Sequence, residues 1–359
     1  MATPPISAPV VSSSPSPDPQ AVSLAKAVPT KPTAHSLVCI WHSMSFGNWL
    51  RLLASRPPMS WSHWFRIASI TAMAPLNSLS DLWETLVYGR RIARQQLEHP
   101  PIFIIGHWRS GTTMLHNLMT LDPEFTYPNL YQVMAPNNFL TTESWVPWLT
   151  RWALPKTRPM DNMAADWSLP QEDDIALLQM TLISPYLMLA HQKDPSKYRR
   201  YFDLAELTPR ELQTWQDAFL HFLKKLTIRK NKQIVLKSPA HTYRIPILLK
   251  MFPDAKFIFI HREPYTVFNS GVHIRRVIFL ESGLAPPYYD SLEEDVIDVY
   301  SKCFEAYQST KHLIPPGHLH EMRFEDLEAD PLGQMRRIYE KLDLTSWPLI
   351  EPQIRQQVP

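Results

Sequence analysis

The segment PIFIIGHWRSGTTMLHNL, residues 101–118, constrains the fold more than any other stretch of the chain. A short apolar run leads into a polar loop bracketed by Gly106 and Gly111, and a helical pattern follows. That order reads as strand, turn and helix. The chain has only 8 glycines, so a pair flanking this loop points to backbone that must approach something closely. A helix N-terminus offers unpaired N–H groups and a partial positive charge. Ser110, Thr112 and Thr113 add hydroxyl donors and Arg109 adds a full charge. The reading is an anion cradle, with a plain strand-to-helix reversal as the structural alternative. The G-x4-G spacing imitates a P-loop, but Thr112-Thr113 stands where a nucleoside triphosphatase carries Lys-Ser or Lys-Thr.

The same alternation recurs downstream. Gln233–Lys237 (QIVLK) reads as a second strand before the helical TYRIPILLKMF, and Lys256–His261 (KFIFIH) as a third before a loop and another helix. Repeated βα units imply a central parallel sheet with helices on both faces, an α/β three-layer sandwich of P-loop type. Residues 99–359 are assigned to this domain, and within it residues 205–228 form a well-patterned helix opened by Thr208-Pro209. Upstream, residues 1–35 are dominated by Pro, Ser, Ala and Val without periodicity and read as a disordered tail. Residues 36–98 read as an N-terminal helical, Trp-rich extension: Trp41, Phe46, Trp49, Leu50 and Leu53, then Trp61, Trp64, Phe65 and Ala68, recur mostly at three- and four-residue intervals. Amphipathic helices packed on the catalytic domain explain that pattern. The alternative is peripheral membrane contact through residues 36–70, suggested by the admixture of Arg51, Arg56 and Arg66.

Lys+Arg at 36 against Asp+Glu at 34 leaves a formal net charge of +2, which argues against a nucleic-acid or general polyanion binder. Any anion site is therefore local. Cys39 and Cys303 are too few for a disulfide framework and lack metal-ligand spacing, so a cytoplasmic location is expected. No run of 18 apolar residues occurs, and residues 1–20 lack the basic start and apolar stretch of a secretory signal.

The loop G-x-x-R-S-G-T-T after a strand resembles the 5′-phosphosulfate loop of sulfotransferases that use 3′-phosphoadenosine 5′-phosphosulfate (PAPS). A second segment, FIFIHREPYTVFNSG, sets Arg262 and Ser270 eight residues apart across a strand-to-helix connection. Arginine donates two parallel hydrogen bonds to a phosphate and serine donates another; the pair is similar to the family's 3′-phosphate site. Leu236–His241 (LKSPAH) resembles the family's stretch beginning at an active-site lysine, here Lys237. Met322–Pro331 (MRFEDLEADP) resembles a segment near the adenine, with Phe324 in place of the more usual tyrosine. The resemblance spans residues 100–345 and is strongest to the bacterial-type branch; the R-K-G loop of the cytosolic animal enzymes is missing. It implies PAPS as co-substrate, held by Arg109, Ser110, Gly111, Thr112, Thr113, Arg262, Ser270 and Phe324, without a metal. The partner substrate is then an acceptor hydroxyl or amine, and the Trp41, Trp49, Trp61 and Trp64 segment with the aromatic stretch Glu143–Trp152 (ESWVPWLTRW) leads one to expect it on an apolar or amphipathic molecule.

Sulfonate transfer is mainly positioning and charge stabilisation, with Arg109 and Lys237 as candidate cations at the sulfonate and bridging oxygen. A hydroxyl acceptor also calls for a general base. Glu172 and Asp173 in LPQEDDIALL are adjacent, so at most one can point along a given helix direction into a cleft, and acids there also suit a helix start. His241, four residues after Lys237, would share a helical face with it. His191 and His107 rank below these. Two rival readings stand: a kinase-like P-loop phosphotransferase using ATP, and a nucleotide-binding protein with a degenerate site.

Overall fold

The computed structural model describes residues 39–154, 157 and 165–357, so the tail assigned to residues 1–35 lies outside the described residues. Five parallel strands form the sheet: β1 Ile102–Ile105, β2 Phe125–Thr126, β3 Gln233–Lys237, β4 Lys256–His261 and β5 Leu319–Arg323. Their order is β2-β3-β1-β4-β5, so the strand before the glycine loop lies at the centre. Ile104 pairs with Lys237 on one side of β1, and Ile105 pairs with Phe259 on the other.

Alternate residues of the central strands enter two different cores, as the two-residue period of a strand requires. Phe103, Leu236, Phe257 and Phe259 pack with Trp215, Phe219 and Phe222 of the helix Pro209–Arg229. Ile102, Ile104, Val235, Ile258 and Ile260 pack with Leu115 and Met119 of helix α3, Thr112–Met119. Both faces are covered, which makes the molecule the three-layer α/β sandwich expected. The helix Pro209–Arg229 starts where Thr208 places it: the Thr208 hydroxyl accepts from the Glu211 amide while Glu211 accepts from the Thr208 amide. Strands β2 and β5 escape the sequence pattern for a physical reason. Each is an edge strand; β2 has two residues, and in β5 only Met322 is buried.

The Trp-rich extension divides into two parts. Helix α1, Phe46–Ala54, and the turn before it bury Trp41, Trp49 and Leu52 completely, in a third core shared with Leu187, Phe279 and Val299. Helix α2, Trp64–Arg94, adds Ile70 and Ala74 to that core and is tied down by a buried ion pair between Glu84 and Lys225. Its outer face is exposed, Trp64 included, as is Trp61 in the turn before it. Among the described residues no helix is long and apolar enough to cross a membrane.

Candidate active site

The neighbouring strands β3, β1 and β4 each deliver a cation at the carboxyl end. Lys237 is the last residue of β3, Arg109 sits in the loop after β1, and Arg262 follows β4. From β1 the chain goes out to the edge strand β2, returns through β3 and then crosses β1 to β4, so the cations stand at the ends of adjacent strands around the point where the sheet order reverses, the usual ligand crevice of such sheets. The loop itself is held in a conformation unusual for side-chain-bearing residues. Arg109 has φ 71° and Gly111 φ 96°, left-handed values that turn successive amides toward one concavity. A Cβ on Gly111 would lie 2.1 Å from the Phe324 ring, and one on Gly106 would lie 2.3 Å from the Ile260 carbonyl. Only glycine fits at either position.

Side chains that sequence reasoning scattered are brought together here. The Arg109 Nε donates to the Ser270 hydroxyl at 2.7 Å, across 161 residues of sequence. The Arg262 guanidinium lies 4.2 Å from the centre of the Phe324 ring, which in turn supports Gly111. Thr112 and Thr113 open α3, with Thr112 buried and Thr113 half-buried. The Ser110 hydroxyl is spent inside the loop, donating to the His107 carbonyl at 2.8 Å. Ser270 lies well inside the helix Pro264–Ser282, whose first amides are capped by the Glu263 carboxylate. Phe324 is buried between loop and arginine, so its ring acts as a support under the cradle and offers no open face.

The acidic run before the helix Asp174–Thr181 is not capping chemistry, since Asp173 at the cap position makes no side-chain cap bond. Each acid instead takes its own basic partner. Lys237 Nζ donates to Glu172 Oε1 at 2.8 Å, His241 Nε2 meets Asp173 Oδ2 at 2.6 Å, and Arg244 Nη1 donates to Asp174 Oδ1 at 2.9 Å. Burial opposes ionisation of Asp173, but the charge and hydrogen bond of His241 together hold the carboxyl below its ordinary value. Lys237 and His241 do not share a helical face. Lys237 ends a strand, whereas His241 sits in the tight turn Pro239–Tyr243, fully buried against the rings of Phe103 and Phe219. That turn also locks the loop, because Thr242 Oγ1 accepts from the Gly106 amide at 2.8 Å and donates to its carbonyl at 3.1 Å.

A cavity of about 300 Å³ opens beside the loop, lined mainly by apolar side chains such as Trp108, Met134, Trp167, Ile175 and Phe202. Of the three base candidates only Glu172 lines it; Asp173 and His241 do not reach it. Tyr186, missed in the sequence, shares the wall and donates its hydroxyl to Glu172 Oε2. Burial, then the negative charge of Glu172, push the Tyr186 phenol well above its ordinary range, so it stays protonated and keeps donating. Trp108 Nε1 in turn donates to the Tyr186 oxygen at 3.1 Å, linking the glycine loop to the carboxylate. His107 also lines the cavity. Its Nδ1 faces the Trp108 carbonyl at 2.7 Å, which can only accept, so Nε2 carries the lone pair and has no hydrogen-bond partner among the described residues. Burial pulls this imidazole down to about 4, so it is neutral at neutral pH. His191 lies elsewhere, bonded to Ser55 at 2.8 Å.

A family model described as "Sulfotransferase family" matches residues 100–348. The protein named omega-hydroxy-beta-dihydromenaquinone-9 sulfotransferase Stf3 of Mycobacterium bovis is 38% identical over 318 residues, covering 88% of this chain and 82% of that protein. The Stf3 of Mycobacterium tuberculosis matches to the same extent, 38% over 318 residues. Among solved structures, sulfotransferase STF9 from Mycobacterium avium superposes with a TM-score of 0.67 at 18% identity, covering 93% of this chain and 90% of that one. Sulfotransferase STF1 from Mycobacterium tuberculosis gives 0.62 at 17% identity with the same 93% and 90% coverage, a likeness of fold.

Proposed function

The chain belongs to the sulfotransferase family, and from that premise we propose that it moves the sulfonate of PAPS to a hydroxyl on an apolar acceptor seated beside Glu172. The observation that carries this reading is the position of Glu172. It is a carboxylate in the wall of an apolar cavity, paired with the lysine at the carboxyl end of β3. A pocket of aromatic and aliphatic walls with a few convergent polar groups suits an apolar molecule with one reacting oxygen. The acceptor in the name of the 38% identical relative, a hydroxylated dihydromenaquinone, is consistent with such a pocket.

The loop residues fit a phosphosulfate, since the left-handed turns at Arg109 and Gly111 and the start of α3 offer backbone amides to an anion and Arg109 supplies charge at the same place. When bound, PAPS supplies a sulfonate joined to a good leaving group, adenosine 3′,5′-bisphosphate. Arg109 neutralises the sulfonate oxygens, and Arg262 with Ser270 takes the 3′-phosphate. Lys237 leaves Glu172 for the bridging oxygen as charge develops there. Glu172, freed of its lysine and still oriented by Tyr186, takes the proton of the acceptor hydroxyl. Asp173 and His241 serve as a buried brace that fixes the segment carrying Glu172. The ATP reading lacks its lysine, because Thr112 fills that place.

Donor identity is tested with nucleotides alone. Arg262→Ala and Ser270→Ala are each expected to weaken adenosine 3′,5′-bisphosphate by about 1.5–3 kcal/mol while hardly changing ADP, since a charge-assisted contact to the 3′-phosphate is lost. Calorimetry decides it. Equal losses for both nucleotides would remove these residues from the 3′-phosphate site, and a wild type that prefers ADP would overturn PAPS as donor.

A further inference from the structure

Helix α2 is amphipathic in the wrong sense for a solvent-facing helix. It runs for 31 residues, about 45 Å, and between Trp61 and Gly89 no exposed residue is charged. The charged residues in that span turn inward. Arg66 donates to the Gly283 carbonyl at 2.7 Å, Asp81 accepts from Asn138 at 2.8 Å, and Glu84 pairs with Lys225. The outward face carries Trp64, Leu76, Leu79, Trp83 and Leu86, all more than half exposed. The segment that follows Thr141, whose amide donates to Glu84 of α2, adds more: a short helix presents Trp148 and the turn after it Trp152, 82% and 85% exposed. Exposed apolar surface on this scale marks an interaction site.

Charge selects the occupant. Arg90, Arg91 and Arg94 stand exposed at the C-terminal end of the apolar face. A second copy laid on the same face would bring those arginines no carboxylate, because the exposed span between Trp61 and Gly89 has none. An anionic lipid surface satisfies both features, hydrocarbon for the tryptophan and leucine side chains and headgroups for the guanidinium groups. We propose that α2 and the neighbouring Trp148 and Trp152 lie in the interface of an anionic membrane, with Arg90, Arg91 and Arg94 on its headgroups. The contact is shifted from the segment 36–70 that composition suggested, because Trp41 and Trp49 are consumed by the core. The N-terminal end of α2 adjoins the cavity, since Arg66 holds the Gly283 carbonyl next to the lining residues Glu281 and Ser282. An apolar acceptor dissolved in the bilayer would therefore reach Glu172 without crossing water. That consequence rests on the acceptor reading; the membrane contact does not.

The test is flotation of the full chain with vesicles of phosphatidylcholine, with and without phosphatidylglycerol, measured without any substrate. The wild type is expected to float with the anionic vesicles. Leu79→Glu with Leu86→Glu should cut binding at least about tenfold. Arg90→Ser, Arg91→Ser and Arg94→Ser together should cost roughly fivefold per arginine on anionic vesicles and little on neutral ones. All five side chains are exposed, so melting temperature and adenosine 3′,5′-bisphosphate affinity should hold. Should a variant fail to fold, the wild type still decides by its preference between the two vesicle types. A wild type that floats with neither, or that forms a dimer dissociated by the glutamate pair without binding vesicles, overturns the proposal. A wild type that transfers sulfonate yet floats with neither vesicle type sinks the membrane contact and leaves the catalytic reading standing.

Discussion

Glu172→Gln is expected to lower turnover by about 10²–10⁴-fold, the range for removal of a positioned general base, while adenosine 3′,5′-bisphosphate affinity stays near wild type. The substitution keeps the volume of the side chain and a carbonyl oxygen for the Tyr186 hydroxyl, so the geometry of the cavity wall is preserved. What disappears is an atom able to take the acceptor proton. The measurement is turnover with saturating donor on a panel of long-chain and short polar alcohols, with melting temperature as the folding control. Turnover within about threefold of wild type would withdraw Glu172. His107, which lines the same cavity from the glycine loop and has a lone pair on Nε2, would then be the residue to test. Parallel variants Asp173→Asn and His241→Gln separate a brace from a base. Both residues are fully buried, so their loss should reduce melting temperature together with activity.

How far the chain was legible depended on whether a residue's task is local. The strand-loop-helix at residues 101–118 was readable because a buried central strand must be apolar on both faces, and because Gly106 and Gly111 are forced by contacts that no Cβ survives. Gln233–Lys237 and Lys256–His261 were readable for the same reason, whereas β5 was not, since an edge strand with one buried residue has no alternation to detect. The three acids at 172–174 show the opposite case. Their chemical type was visible, but their assignments depend on Lys237, His241 and Arg244, which lie 65, 68 and 70 residues away. Periodicity along the chain carries no information about that pairing. Tyr186 and Trp108 were missed because single aromatic residues signal burial as readily as function, and only the hydrogen-bond chain from Trp108 through Tyr186 to Glu172 distinguishes them. The tryptophans of the extension divide likewise: identical residues at similar spacings end either fully buried, as Trp41 and Trp49, or exposed, as Trp61 and Trp64.

Lys237→Met is expected to lower turnover about 10²–10³-fold, by analogy with removal of one preorganised donor from an oxyanion site, and to raise the donor KM by a smaller factor. Charge on the bridging oxygen is complete only beyond the ground state, so a cation aimed at it contributes chiefly to kcat. One structural effect must be separated from this. The lysine is almost wholly buried and pairs with Glu172, so methionine leaves a carboxylate with reduced compensation, which destabilises the fold. Methionine matches the length of the stem it replaces, and Tyr186 still donates to Glu172, so the protein should fold with a lowered melting temperature. Adding Glu172→Gln removes the orphaned charge. The double variant should recover melting temperature yet remain as slow as the slower single variant, because charge stabilisation and proton removal are both gone. Stopped assays under saturating PAPS, read beside thermal unfolding of all four proteins, make the distinction. If the double variant regained turnover along with stability, Lys237 would be a structural partner of Glu172 and its role at the leaving group would fall.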